Sequence, residues 1–287
     1  MSSACPENLW RERMSDAFKQ FNQQVIDEFR ANAGRVGGMF EGGRLLLLTT
    51  TGARTGAKHT NPVGYLPDVE RVLVIASAGG APKHPDWYLN LVANPRVTVE
   101  DGTFTYEADA EVLRGEERER MFARAVEADP GWGAYQEKTT RVLPVVALNP
   151  VPGPPTPNEK SMGGALLAVH DAFRRELSLV RKEIRASGGT LGAQLRVNCL
   201  TVCAGLRNHH TGEDLMLFPH LRHRYPELEP VLDRLAREHE AIAALLARLR
   251  EVLAGGGKGV ADEVDRLAEE LEAHLRYEEE NLIPLLG

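Results

Sequence analysis

Histidine and glutamate residues recur at a four-residue spacing in the second half of the sequence. His209 and Glu213 form one such pair, and His274 and Glu278 form another. Residues four positions apart project from the same face of an α-helix, so each pair can hold one metal ion. The pattern predicts a metal site built from imidazole and carboxylate groups.

Single histidines, His170 and His239, fall in two other segments with helical periodicity. A lone helical histidine is more often a surface residue or a satisfied core group, and His–Glu pairs arise by chance in charged helices. The combination favours a site, because inward polar groups from four helices are costly to bury unless something binds them. The predicted metal ligands are His170, His209, Glu213, His239, His274 and Glu278.

The ligand types predict which metal is bound. Imidazole and carboxylate groups without thiolates suit iron or manganese better than a closed structural zinc site. Four histidines and two bridging carboxylates would fill about eight of the roughly twelve positions of two six-coordinate ions. We therefore expect two ions, with positions left open for solvent or dioxygen. His210 lies about 100° around the helix from His209 and is predicted to point elsewhere, with an indirect supporting role left open.

The elements that must position these residues follow from the periodicity. Residues after 161 are predicted to form four helices, over about 162–186, 191–221, 227–254 and 260–282, separated by glycine- or proline-containing breaks. Short connections favour antiparallel neighbours, so we expect an up-down four-helix bundle. Cys199 and Cys203 are predicted to be small core residues of the second helix.

A proline-rich segment separates this half from the first. Five prolines between residues 149 and 161 predict an extended linker. The predicted domains are therefore 1–150 and 161–287, with the linker at 151–160. Short Val-, Leu- and Thr-rich runs at 44–51, 71–77, 96–100, 103–113 and 142–148 predict strands in the first domain.

Two glycine-containing turns of the first half could bind anions. One carries Arg54 and Lys58 between extended runs, and the other follows a strand at Ser77 and leads into a helix near Pro85. Backbone amides and cations in such turns can hold a phosphate group. Each signal alone is weak, because loop cations are normally solvated.

The second half resembles the hemerythrin-like HHE cation-binding family. The resemblance rests on a first-helix histidine, HHxxE followed by LFP, an EHE triplet and a final HxxxEE. It implies a di-iron centre that reacts with dioxygen or its reduced forms, with Glu213 and Glu278 as bridges and Glu279 as a competitor for the last position. Oxygen carriers of the family have a second third-helix histidine where this sequence has Ala243, which implies a more open and reactive site.

The first half resembles the deazaflavin-dependent nitroreductase family. The matching runs are FRANAGRVGG, LTTTGARTG, NPVGYL and ASAGG…WYLNLVANP. The resemblance implies a split β-barrel of the flavin-reductase type that binds the deazaflavin coenzyme F420, with FMN as the alternative. It implies that the coenzyme lies against Arg54, Lys58, Ser77, Ala78 and Gly79, with Trp132 and Tyr135 at the substrate face. The expected fold class is thus α+β for the barrel and all-α for the bundle.

Composition and sequence pattern indicate where the protein is located and which partners it has. The net charge of −7, with both signs mixed along the chain, gives no footprint for nucleic acid. No apolar run approaches the roughly 18 residues of a membrane span, and the N-terminus lacks the pattern of a secretory signal. We expect a cytoplasmic protein with reduced cysteines. The expected partners are dioxygen or a related small molecule, a small organic substrate, and a second copy through the barrel domain.

Two functions are predicted. In the first, the chain is an oxidoreductase in which deazaflavin-dependent chemistry in the barrel is coupled to the di-iron centre. In the second, the bundle senses or scavenges dioxygen, nitric oxide or iron, and the barrel binds a cofactor without coupling to the iron.

Overall fold

The computed structural model describes residues 6–188 and 191–287, with side chains from residue 17 onward. Cys5 and the first five residues, which contributed to the expectation of a cytoplasmic protein, lie outside the described residues. None of the described helices is both long and apolar enough to cross a membrane.

Six antiparallel strands form a closed barrel in the first half. They are β1 (Leu45–Thr51), β2 (Lys58–Asp68), β3 (Arg71–Ile75), β4 (Arg96–Glu100), β5 (Phe104–Val112) and β6 (Val145–Pro150). Their order is β4-β1-β2-β3-β6-β5, and pairing between β4 and β5 closes the ring. The barrel expectation is confirmed, although β2 was predicted only as an unnamed extended run.

Alternating apolar residues fill the barrel. Leu46 and Leu48 of β1 point to the same face and pack with Val74, Val97 and Val146. Leu45 and Leu47 face the other way, against helix α1 (Pro6–Ala31) through Ile26 and Phe29. Because side chains alternate along a strand, β1 can be buried on both faces only by carrying leucine at each position.

Three further helices accompany the barrel. Helix α2 (Asp86–Ala93) packs beside the end of β1, and helices α3 (Gly115–Ala128) and α4 (Gly131–Glu137) lie between β5 and β6. Helix α2 is held by Asn90, whose side chain accepts from the Ala53 amide and donates to Thr50.

The predicted linker is partly a barrel element. Thr156–Pro157 form a short strand, β7, that pairs with Thr105 and Phe104 of β5. The Asn158 amide adds a bond to the Thr103 carbonyl. The segment is therefore anchored to the barrel edge for part of its length, because backbone groups on that edge accept an additional strand.

Four long helical stretches make up the second half. They are α5 (Met162–Ala186), α6 (Ala193–Gly212) with its continuation, α8 (Glu229–Ala254) and α9 (Val260–Leu286). The continuation of α6 is a π-helical turn, Glu213–Leu217, followed by α7 (Phe218–Arg224). Pro219 has no amide hydrogen and its ring crowds the preceding turn, so a wider turn is accommodated there. The bundle expectation is confirmed.

The bundle packs on one end of the barrel. This end contains the start of β1, the β2–β3 turn and the β4–β5 turn, and we call it the bundle end. Buried Arg44 there pairs with Glu176 and Glu183 of α5 at 2.9 and 2.6 Å. In α6, Gln194 donates to the Pro67 carbonyl, and the Thr201 hydroxyl accepts from the Val69 amide.

Candidate functional site

The predicted metal ligands converge in the middle of the bundle. Each helical stretch supplies at least one of them: His170 from α5, His209 and Glu213 from α6 and its π turn, His239 from α8, and His274 and Glu278 from α9. The side chains of His170 and Glu278 are fully buried, and that of His209, the most accessible, is only 11% exposed. The structure therefore brings all six predicted residues together.

His210 joins this cluster, contrary to the prediction that it would point elsewhere. It is 5% exposed, and its ring stacks on that of His239 with centroids 4.1 Å apart and planes 8° apart. A bundle helix buries an arc of 100° or more, so neighbouring residues on either side of the inward direction can both face the interior. The adjacent histidines of the HH pair were the signal that should have indicated this.

The cluster divides into two groups. Within each group, the ligand atoms all lie within 4.8 Å of one another. One group contains His210, His239 and His274, and the other contains His170, His209, Glu213 and Glu278. The carboxylates face both groups. Glu213 has one oxygen 3.3 Å from His209 Nε2 and the other 3.5 Å from His239 Nε2. Glu278 Oε2 lies 3.4 Å from His170 Nε2 and 3.6 Å from His274 Nε2.

Nine buried atoms at the centre have no hydrogen-bond partner among the described residues. They are both carboxylate oxygens of Glu213 and Glu278 and the Nε2 atoms of His170, His209, His210, His239 and His274. Buried polar atoms are normally paired, since an unpaired one costs about 1–3 kcal/mol. Two ligands at right angles, each about 2.1 Å from an ion, are about 3 Å apart. The spacing and the missing partners both fit bound cations.

In three of these histidines the other ring nitrogen, Nδ1, is hydrogen-bonded to a carboxylate. His170 Nδ1 lies 2.8 Å from Glu279, His239 Nδ1 lies 2.8 Å from Asp214, and His274 Nδ1 lies 3.1 Å from Glu238. Such contacts leave Nε2 free as a metal ligand and fix the ring orientation. Glu279 thus lies outside the centre, where Arg174 also contacts it at 2.8 Å.

Burial and neighbouring charges together set the pKa values in the cluster; the carboxylates of Glu278 and Glu279 raise that of His170 despite its burial. Burial, followed by repulsion from His170, lowers the pKa of His209 to about 3, and burial and His239 lower the pKa of His210. Neutral imidazoles have the free lone pair that metal binding requires. Burial, with repulsion from Glu278, raises the pKa of Glu213. Burial opposes ionisation of Glu278 as well, but the close contact with His170 outweighs it and lowers the pKa of Glu278.

The predicted coenzyme residues lie at the barrel end opposite the bundle, which we call the coenzyme end. Arg54 and Lys58 are exposed on the β1–β2 turn, and neither has an ion pair among the described residues. Gly52 closes this turn through its amide, 2.7 Å from the Ala57 carbonyl. A Cβ atom at Gly52 would lie 2.9 Å from the Thr55 hydroxyl, so a side chain does not fit there.

The second predicted turn is strained and firmly held. Ala78 has a φ of 48°, a conformation that L residues adopt at a cost, and two glycines of positive φ follow it. Arg141 donates to the carbonyls of Ala76 and Ala81 at 3.0 and 2.8 Å, and also to that of Ser77. Sequence reasoning did not single out Arg141, because its role depends on contacts across more than 50 residues.

Helix α4 covers this turn with the predicted aromatic residues. A Cβ atom at Gly80 would lie 2.7 Å from the Tyr135 carbonyl, so the turn and the helix are in close contact. Trp132 and Tyr135 pack edge to face with ring centroids 6.1 Å apart. The structure therefore places all seven predicted coenzyme residues at one end of the barrel.

Comparison with known proteins assigns both halves. Residues 21–150 match the model of the F420H(2)-dependent quinone reductase family, and residues 163–286 match that of the hemerythrin HHE cation binding domain. An F420H(2)-dependent quinone reductase of Mycobacterium tuberculosis is 35% identical over 124 residues, which make up 42% of this chain and 83% of the relative. The chain belongs to the F420H(2)-dependent quinone reductase family. A hemerythrin HHE domain is fused to it, so both expected resemblances are confirmed.

Solved structures similar to the reductase-family domain include an F420-H2 dependent reductase. It is 43% identical and covers 37% of this chain and 94% of its own, with a TM-score of 0.35. Another, described as a domain-swapped dimer, is 36% identical and covers 50% of this chain and all of its own, with a TM-score of 0.37.

The hemerythrin HHE domain has no ligand at the Ala243 position, as the sequence indicates. Ala243, four residues after His239, is exposed and offers no ligand atom. His210 instead stacks over His239 from the neighbouring helix, and its group retains three histidines. The expectation of a more open site, which counted only four histidines, needs this correction.

The two adjacent glutamates of α9 should respond differently to removal of their charge. We expect Glu278→Gln to lose at least one of two bound ions, because this carboxylate faces both ligand groups. Glu279→Gln should keep both ions but bind them about 10–100-fold more weakly, because only the orientation of His170 is affected. Elemental analysis after equilibrium dialysis measures both. Full occupancy in Glu278→Gln together with an empty Glu279→Gln protein would reverse the two roles.

Proposed function

We propose that this chain is an oxidoreductase with two separate redox centres. The barrel would bind reduced F420 and transfer a hydride to a quinone or a similar small organic acceptor. This assignment is supported by the relatives named F420H(2)-dependent quinone reductases. The bundle would hold two iron ions that react with dioxygen or its reduced forms. The nine unpaired buried atoms of the centre are the observation that carries this part of the proposal.

The chain's own residues would divide between the two ions. His170 and His209 would bind one ion, and His210, His239 and His274 the other, with Glu213 and Glu278 shared between them. When bound, such an iron pair supplies redox chemistry with dioxygen at positions that protein ligands leave open. The bonds from Glu279, Asp214 and Glu238 to the ring Nδ1 atoms would keep the histidines in register for the ions.

The coenzyme end would bind F420 through charge and backbone contacts. Arg54 and Lys58 would contact the anionic tail, because they are exposed cations beside a turn that is too tight for a side chain at Gly52. Ser77, Ala78 and Gly79 would lie against the ring system, and Trp132 and Tyr135 would border the acceptor. F420 carries the hydride chemistry itself, so the protein's task is to orient it and to exclude water.

The arrangement of the two sites argues against direct hydride transfer between them. The bundle packs on one end of the barrel, and the coenzyme residues lie at the other. Strand β3 runs from Arg71 at the bundle end to Ile75, two residues before Ser77, and is about 13 Å long. The metal ligands are enclosed among the bundle helices, whereas hydride transfer needs reacting atoms about 3–3.5 Å apart. Coupling therefore requires a diffusible carrier.

A quinone has the properties of such a carrier. It accepts a hydride and a proton to become a quinol, and the quinol can release two electrons singly together with two protons. Iron accepts electrons one at a time, so the quinol connects the two chemistries. The separation of the two sites also favours the second candidate function, in which the bundle senses or scavenges small molecules independently of the barrel.

Anaerobic mixing separates these functions. We expect reduced F420 alone to leave the spectrum of the iron(III)-loaded chain unchanged, and a catalytic amount of a soluble quinone to cause reduction of the iron. The His209→Ala/His274→Ala chain, which should not hold the ion pair, is the control for quinone reduction in the barrel. Complete oxidation of the coenzyme with no change of the iron would favour independent sites. Rapid iron reduction without quinone would contradict the proposed separation.

Charge reversal at the β1–β2 turn tests the coenzyme site. We expect Arg54→Glu or Lys58→Glu to weaken F420 binding at least about tenfold, because each removes a charge-assisted contact of about 1.5–3 kcal/mol. Thermal stability should not change, since both side chains are exposed. Fluorescence titration measures binding, with the exposed linker variant Lys160→Glu as the matched control. Tight binding of FMN with none of F420 would contradict the coenzyme assignment.

A further inference from the structure

A groove of about 430 Å³ runs between α6 and α8 along one side of the metal cluster. His210 and His239 form part of its inner wall, at the level where Ala243 leaves space on α8. Both histidines are at least 95% buried, and their Nε2 atoms have no partner. The groove is large enough for an organic ligand of moderate size and reaches the groups that would hold the ions.

One end of the groove is cationic. Arg207 of α6 and Arg250 of α8 line it, and neither forms an ion pair among the described residues. Cys203 lines the groove beside them. Burial raises the pKa of the Cys203 thiol to about 11, and the charges of both arginines oppose this rise. Two arginines that line one groove without a paired carboxylate are suited to bind an anionic group.

The other charged residues of the groove are mostly engaged elsewhere. Arg222 pairs with Glu229 and Asp233, and Asp214 is bonded to His239. Glu240 is exposed and also lines the groove. It has no ion-pair partner among the described residues. The cationic end therefore keeps an excess of positive charge.

The floor between the arginines and the histidines is apolar. Ala243, Leu246 and Ala247 line it along α8. Ala243 and Arg250 are seven residues apart, which corresponds to about 10 Å along the helix axis. A straight aliphatic chain of about eight carbons has this length, and the alanines leave room for it.

We propose that this groove binds an amphipathic organic carboxylate. The carboxylate lies between Arg207 and Arg250, and the aliphatic chain extends over Ala247 and Ala243 toward His210 and His239. The site goes beyond the proposed redox function, because its head-group contacts do not involve the metal ligands. It places the far end of a carboxylate ligand beside the metal centre.

Calorimetric titration of the full chain with sodium octanoate tests the site. Saturable binding at one site per chain is expected, and Arg207→Gln/Arg250→Gln should weaken it at least about tenfold. Arg237→Gln removes one exposed charge of α8 outside the groove and should bind octanoate as the unaltered chain does. Ala247→Leu should reduce binding by filling the floor, and octanol, which lacks the charge, should bind at least tenfold more weakly than octanoate.

The orientation can be tested with cobalt(II)-loaded protein. The terminal methyl protons of octanoate should relax faster than the protons beside the carboxylate, because the methyl group lies nearer the paramagnetic ions. Faster relaxation beside the carboxylate would overturn the proposed direction of binding.

Metal analysis of the same samples separates this proposal from the redox function. Two bound ions without octanoate binding would overturn the groove proposal alone. Octanoate binding that depends on both arginines in a metal-free chain would support the groove even if the metal centre failed. Equal octanoate affinity in the unaltered and double-arginine chains, with unchanged thermal unfolding, would also overturn it.

Discussion

The constraint on which the bundle depends is the burial of polar atoms that have no hydrogen-bond partner in the part of the chain that the structure describes. Five imidazole nitrogens and four carboxylate oxygens face one another at the centre of an otherwise aliphatic bundle, which is costly without a binding partner. Bound cations would satisfy them all at once, since each atom is of a type that binds metal ions. The carboxylates that contact the histidine Nδ1 atoms from outside the centre fit the same interpretation, because they orient each ring with its Nε2 atom directed inward. We therefore expect metal binding to contribute to the stability of the bundle.

The same constraint explains how His210 and Ala243 are related. A histidine on α6 supplies the nitrogen that α8 does not supply at residue 243, so the ligand group stays complete while α8 gains a space. That space becomes part of a groove that reaches the centre from the side. His210 on α6 thus completes the ligand group, and Ala243 on α8 leaves the space that gives access to it.

Much of this organisation could be predicted from the sequence, and the exceptions have physical causes. The starts of α5 at Met162 and of α9 at Val260 agree with prediction, whereas α9 continues through Pro284 to Leu286, beyond the predicted end at 282. The π turn was not predicted, because the widening caused by Pro219 does not change the apolar pattern. His210 was misplaced because one inward direction was assumed for a face that is 100° wide. The contacts of Arg44 with the bundle and of Arg141 with the Ser77 turn depend on distant segments, and no local pattern reveals them.

The central claim is that one bundle interior holds two metal ions, each with its own histidine group. Anomalous diffraction from crystals of the iron-loaded chain, recorded on both sides of the iron edge, tests it most directly. The account predicts two iron peaks, one among His210, His239 and His274 and the other beside His170 and His209, with Glu213 and Glu278 between them. A single peak, or iron bound away from these residues while the nine atoms stay free, would contradict it.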